Sequence, residues 1–130
     1  MKRIEVVAAI IKYKDLTLCA QRGLAKYDYI SKKYEFPGGK IEPGESKEDA
    51  IIREINEELH LDISSPEYFM TVEHTYPHFH ITMHSFLCKI DHQEIVLTEH
   101  LEVQWLKKDE MRTLDWAAAD IPIVDKLLTN

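Results

Sequence analysis

Apolar residues along this chain fall in short runs broken by charged turns. Ile4 to Ile11 (IEVVAAII), Leu16 to Gln21, Tyr68 to Thr75, His80 to Ile90 and Val103 to Leu106 carry the β-branched and aromatic enrichment of strands, with shorter strand pieces at Tyr34 and Lys40. Between Ser46 and Leu59 the period changes. Ile51, Ile52, Ile55 and Leu59 recur at helical spacing and form a stripe able to pack on a sheet, while the intervening positions are charged. Ser46 is placed to cap this helix, and Asp49 follows at near capping-box spacing. A second helix is predicted from Ile121 to Leu128, with a short turn at Asp109 to Arg112. Strands interspersed with helices predict an α/β or α+β fold.

Length and charge narrow the picture. At 130 residues and 45% apolar content the chain can build one core, so residues 1–130 are expected to form a single domain; there are no repeats or linker-like stretches. A net charge of −7 disfavours a nucleic-acid polymer or membrane surface as partner, because phosphate backbones need clustered cations. A free nucleotide remains compatible if metal ions supply the positive charge. The opening MKRIEVVAAIIKYK superficially suggests a signal peptide, but Glu5 interrupts its apolar run and no small-residue cleavage site follows, so a cytoplasmic protein is expected. Cys19 and Cys88 lie inside apolar strand-like runs and read as reduced, buried residues.

The chemistry concentrates in GKIEPGESKEDAIIREINEELHL, residues 39–61. Glu54, Glu57 and Glu58 project toward one side of the predicted helix, and like charges so placed repel. A hard divalent cation bound through oxygen would relieve that repulsion. Gly38 and Gly39 permit close backbone approach to a ligand, and Pro43-Gly44 bends the chain before the helix.

These residues resemble the Nudix box, G-x5-E-x7-R-E-U-x-E-E-x-G-U with U a bulky aliphatic residue: Gly39, Glu45, Arg53, Glu54, Ile55, Glu57, Glu58 and Leu61 all fall in place. His60 stands where the pattern has glycine, at a position expected to be a left-handed helix end. The likeness continues through YEFPGGKIEPGE, IEVVAAII, CAQR and ADIPIVDKL, and covers nearly the whole chain. It points to the MutT-related branch of the Nudix hydrolases, with the nearest likeness to bacterial CTP pyrophosphohydrolases. The resemblance implies an α/β/α sandwich, a mixed sheet between helices.

It also implies Mg²⁺, with Mn²⁺ able to substitute, held by Glu54, Glu57, Glu58 and the backbone carbonyl near Gly39. Arg53 leaves the helix about 100° from Glu54, and the family pattern implies that it pairs with Glu45 to tie the loop to the helix. Glu99, before Trp105, matches a loop glutamate that reaches the metals or the attacking water, although nearby Glu102 could take its place. Which carboxylate acts as general base is left open by the sequence.

For the substrate, Arg22 is a candidate phosphate or base contact after the second strand, and Tyr76 and Phe79 are candidate stacking rings beside Pro77. Asp120, before Pro122, reads as a helix-start residue, whereas the resemblance to MutT-type enzymes implies a polar side chain that reads the base edge. As a hydrogen-bond acceptor it suits the N4 amino group of cytosine, or the N1–H and 2-amino groups of guanine. His74, His78, His80 and His84 alternate along the sequence, but Pro77 interrupts them and no cysteine joins, so zinc is disfavoured. The expected activity is Mg-dependent hydrolysis of a cytidine-type or modified nucleoside triphosphate to the monophosphate and pyrophosphate, by a monomer or homodimer. Alternatives are an 8-oxo-dGTP sanitiser, an ADP-ribose or RNA-cap hydrolase, and a catalytically silent nucleotide-binding domain.

Overall fold

A computed structural model, describing residues 1–129, shows a seven-stranded mixed sheet between two helices. The strands are β1 (Lys2–Tyr13), β2 (Leu16–Gln21), β3 (Tyr34–Glu35), β4 (Gly38–Lys40), β5 (Glu67–Thr75), β6 (Phe79–Lys89) and β7 (Glu102–Leu106). The helices are α1 (Lys47–Leu59) and α2 (Ile121–Thr129), with short 3-10 turns at Lys108–Thr113 and Ala118–Asp120.

The main path runs β3-β2-β1-β6-β5. β1 and β6 pair in parallel from Lys2↔Phe79 to Lys12↔Lys89, and the other ladders are antiparallel. On its other edge β1 changes partner. Val6 to Ala8 pair with β4, whereas Lys12 and Tyr13 pair with β2, which then diverges to join β7. That divergence opens the sheet where Gly38 and Gly39 lie, and a side chain on Gly38 would collide with the Val7 carbonyl.

Alternation along β1 divides the core. Val7, Ala9 and Ile11 face α1 and pack with Leu18, Ile51, Ile55 and Leu59; Ala8 and Ile10 face the other layer with Phe36, Met83, Ile123 and Val124. Burial on both faces explains the unbroken apolar run in β1. Truncating a fully buried anchor such as Ile55 would cost about 2–5 kcal/mol, so α1 is fixed firmly to the sheet and its polar face is presented at one place. Cys19 and Cys88 are buried and free, and burial pushes both thiols up to about 12.

Both predicted ends of α1 are found. The Ser46 hydroxyl accepts the Asp49 N–H at 3.0 Å, and His60 caps the helix at φ 52°, ψ 40°, donating its N–H to the Asn56 carbonyl. Histidine thus takes the left-handed conformation the motif reserves for glycine.

Candidate active site

Arg53 organises the loop before α1. Its Nε lies 2.7 Å and its Nη2 3.0 Å from the two Glu45 oxygens, and Nη2 also donates to the Lys40 carbonyl at 3.1 Å. Glu45 is held down at about 2 by these donors. The loop from Lys40 to Glu45 is therefore bound to the helix. Helix geometry alone separates Arg53 from Glu54, but the structure corrects that separation. The long guanidinium stem curls back, so Nη1 reaches Glu54 at 3.0 Å and Glu57 at 3.3 Å.

The α1 carboxylates are not equivalent. Glu57 is exposed toward solvent, Glu54 is half-buried, and Glu58 is buried at 3% exposure with Oε2 lacking a hydrogen-bond partner among the described residues. Burial, then Glu54, Glu99 and Glu35, push Glu58 up to about 9. Glu54 is also raised, chiefly by burial, despite its bond to Arg53. A Cβ on Gly39 would lie 2.5 Å from the Glu54 carboxyl, so the glycine lets that carboxylate rest on bare backbone.

This donor set fits a divalent cation. A buried carboxyl oxygen lacks a partner, neighbouring acids destabilise one another's charge, and the backbone beside Glu54 has no covering side chain. As they stand, no three Asp, Glu, His or Cys side chains among the described residues converge closely enough to coordinate a metal, because Arg53 draws Glu54 and Glu57 to itself. The histidines are dispersed: His84 contacts Glu5 and Thr71, His80 contacts Thr75 and Glu73, and His78 stacks on Tyr27.

Glu99 and Glu58 line one polar cavity of about 230 Å³, together with Arg22, Glu35 and His100. Glu102 is directed elsewhere: it accepts from the Tyr34 hydroxyl and from Gln104 on the β2–β7 side. A second cavity, of about 300 Å³, begins at Gly38 and Gly39 and runs along the α2 side of the sheet between Phe36, Tyr76 and Phe79 to Asp120. Arg22 and Glu35 border both cavities, joined by a 3.3 Å ion pair.

Asp120 is not a helix cap. Its carboxyl turns inward at 4% exposure and accepts the Phe36 N–H at 2.9 Å. Burial and the nearby Glu35 hold its pKa well above the ordinary carboxylate range. Tyr76 is buried, with its hydroxyl accepting the Ala119 N–H, and Phe79 is half-buried. Sequence reasoning missed Glu35 and His100. Their only signal is a polar residue beside recognised motifs, and they meet across 65 positions because β3 pairs with β2 while Leu101 bonds the end of β2.

Fold and site together define a mixed-sheet sandwich whose carboxylate-bearing loop and helix meet, at Gly38 and Gly39, a cleft of about 300 Å³. Comparison with known proteins agrees: the NUDIX domain model matches residues 6–126, and the chain belongs to the Nudix family. It is 35% identical to the CTP pyrophosphohydrolase of Escherichia coli K12 over 98% of this chain and 93% of that one. Identity to the 8-oxo-dGTP diphosphatase of the same organism is 30%, over 98% of both chains. The solution structure of the E. coli ORF135 protein superposes with a TM-score of 0.84 at 35% identity, covering 99% of this chain and 91% of the other.

Proposed function

We propose that this protein is a divalent-metal-dependent pyrophosphohydrolase that cleaves (d)CTP, or a modified cytosine nucleotide, to the monophosphate and pyrophosphate. Glu54, Glu57, Glu58, Glu99 and the Gly39 carbonyl would hold Mg²⁺, or Mn²⁺ in its place. Such a cation, when bound, would neutralise the phosphate chain and lower the pKa of a bound water. Arg53 and Glu45 keep the loop on the helix, so Gly39 stays beside Glu54. Arg22 offers its guanidinium where the two cavities meet, positioned for phosphate oxygens. Water attacks a phosphorus of the α–β anhydride, the bond from that phosphorus to the bridging oxygen breaks so that monophosphate and pyrophosphate separate, and the water's proton passes to a carboxylate of the polar cavity, which Glu58 and Glu99 line.

The observation that carries the base assignment is the environment of Asp120. Burial and Glu35 favour the neutral form of this carboxyl, which has one acceptor oxygen and one O–H donor. Cytosine presents the matching pair, an N4 amino donor beside an N3 acceptor. Guanine presents two donors, N1–H and the 2-amino group, and requires the ionised carboxylate. Uracil and thymine present a donor and acceptor in the reverse arrangement. Tyr76 and Phe79, in contact at 5.1 Å between ring centroids, form one wall of the cleft on which the base stacks, and the confined cleft favours a pyrimidine over adenine, whose amino and ring nitrogens follow the cytosine order.

The reading is tested by incubating the protein with dCTP and Mg²⁺ and identifying products. Appearance of dCMP with pyrophosphate is expected. Formation of dCDP with phosphate would refute the cleavage position. The relatives that hydrolyse 8-oxo-dGTP favour a second reading, a sanitiser of oxidised guanine nucleotides, for which Asp120 would have to be ionised.

A further inference from the structure

Glu99 stands on a segment without regular structure, exposed in most of its length from residue 91 to 99. It is nevertheless held on both sides. Before it, the Thr98 N–H donates to the Glu58 carbonyl at 3.2 Å, and the Thr98 hydroxyl lies 3.0 Å from the same oxygen. After it, His100 turns inward until its side chain is only 3% exposed, and its Nε2 lies 2.9 Å from Glu35 Oε2. A carboxylate oxygen accepts, so Nε2 carries the proton of this bond. Leu101 then donates its N–H to the Gln21 carbonyl at 2.9 Å. Glu35 uses its other oxygen for Arg22, and it ends β3 next to Phe36, whose N–H binds Asp120.

The geometry points to His100 as a positioning residue for Glu99, the inner peg of a clamp whose outer peg is Thr98. Thr98 references Glu99 to the end of α1, which carries Glu58. His100 references it to β3, which borders the base cleft. Fixing a carboxylate within a fraction of an ångström requires support on both flanks, and an exposed loop has no other buried side chain beside Glu99 to supply it. The Arg22–Glu35–His100 chain thus spans the two cavities, and occupation of the base cleft beside Glu35 is mechanically connected to the loop bearing Glu99. This inference rests on the proposed role of Glu99.

The test is a double-mutant cycle of His100→Ala with Glu99→Gln, read by steady-state dCTP hydrolysis and by titration of Mn²⁺ alone, followed through its paramagnetic resonance signal. His100→Ala is expected to lower kcat at least about tenfold with KM changed less than about threefold, and to weaken Mn²⁺ binding several-fold. His100→Gln, whose amide nitrogen reaches the Nε2 position, should recover most of both. In the Glu99→Gln background His100→Ala should add nothing. Multiplicative losses in kcat and in Mn²⁺ affinity, with Glu99→Gln itself impaired, would overturn the clamp while leaving the role of Glu99 intact. Full turnover by Glu99→Gln would overturn both. If His100→Ala does not fold, His100→Gln against the shorter His100→Asn decides: activity in Gln with loss in Asn supports the clamp, and equal activity overturns it.

Discussion

Replacing Asp120 by asparagine and by alanine separates the roles of its hydrogen bonds. The native carboxyl accepts the Phe36 N–H at 2.9 Å, and burial and Glu35 push its pKa well above the ordinary carboxylate range, which favours the neutral acid. Asparagine keeps an acceptor and a donor on the same frame, so Asp120→Asn should retain dCTP kcat/KM within about threefold, while alanine removes a bidentate base contact worth about 1–3 kcal/mol, or roughly 5- to 150-fold. Alanine also leaves the Phe36 amide buried without its acceptor, at about 1–3 kcal/mol of stability. A lowered Tm should therefore accompany Asp120→Ala only.

Protonation gives the sharper assay. Because the folded pKa is raised, the neutral acid persists above the ordinary carboxylate range and is lost as pH climbs through the folded value. The wild-type dCTP to 8-oxo-dGTP ratio of kcat/KM should fall over that rise, since the ionised group presents two acceptors and suits guanine. Using a ratio cancels ionisations common to both substrates. Asp120→Asn has no proton to lose, and its ratio should be flat. A collapse of dCTP turnover in asparagine to the alanine level, or a ratio independent of pH in wild type, would refute the reasoning.

Other consequences follow from individual contacts. Glu58, pushed up to about 9, destabilises the metal-free fold progressively as pH rises above the ordinary carboxylate value. Glu58→Gln should therefore raise the Tm in EDTA, by several degrees at about pH 8 and little near pH 4, while weakening Mn²⁺ binding; an unchanged or lower Tm at the higher pH would contradict the burial argument. Arg53→Ala frees Glu45 and the Lys40 carbonyl and should cost about 2–3 kcal/mol in urea unfolding together with most turnover. His60→Gly removes a side chain from φ 52° and should stabilise by about 1 kcal/mol without altering kcat/KM. Glu57→Gln should reduce kcat by about a hundredfold or more while equilibrium dialysis still detects bound nucleotide; undiminished turnover would remove Glu57 from the site.

The elements that local chemistry specifies were readable from sequence. Ser46 and the Ile51, Ile52, Ile55 and Leu59 stripe define α1, the apolar runs define the long strands, and the Arg53–Glu45 pair follows from the motif. What escaped depends on register between distant segments. Glu35 carries no periodic signal and gains meaning only when β3 pairs with β2 and brings His100 against it. Asp120 reads equally as a helix start until the Phe36 amide is seen to hold it inward. The return of Arg53 to Glu54 and Glu57 depends on side-chain reach, which Cβ direction does not predict.

The most direct test of the central claim is Mg-dependent pyrophosphate release, compared as kcat/KM across dCTP, CTP, 5-methyl-dCTP, 8-oxo-dGTP, dGTP, dATP and ADP-ribose. The account predicts that a cytosine nucleotide leads the series and that ADP-ribose, which offers no pyrophosphate leaving group, releases none. A lead for 8-oxo-dGTP would contradict the assignment of a neutral Asp120 to cytosine, and absence of pyrophosphate from every triphosphate would contradict the pyrophosphohydrolase itself.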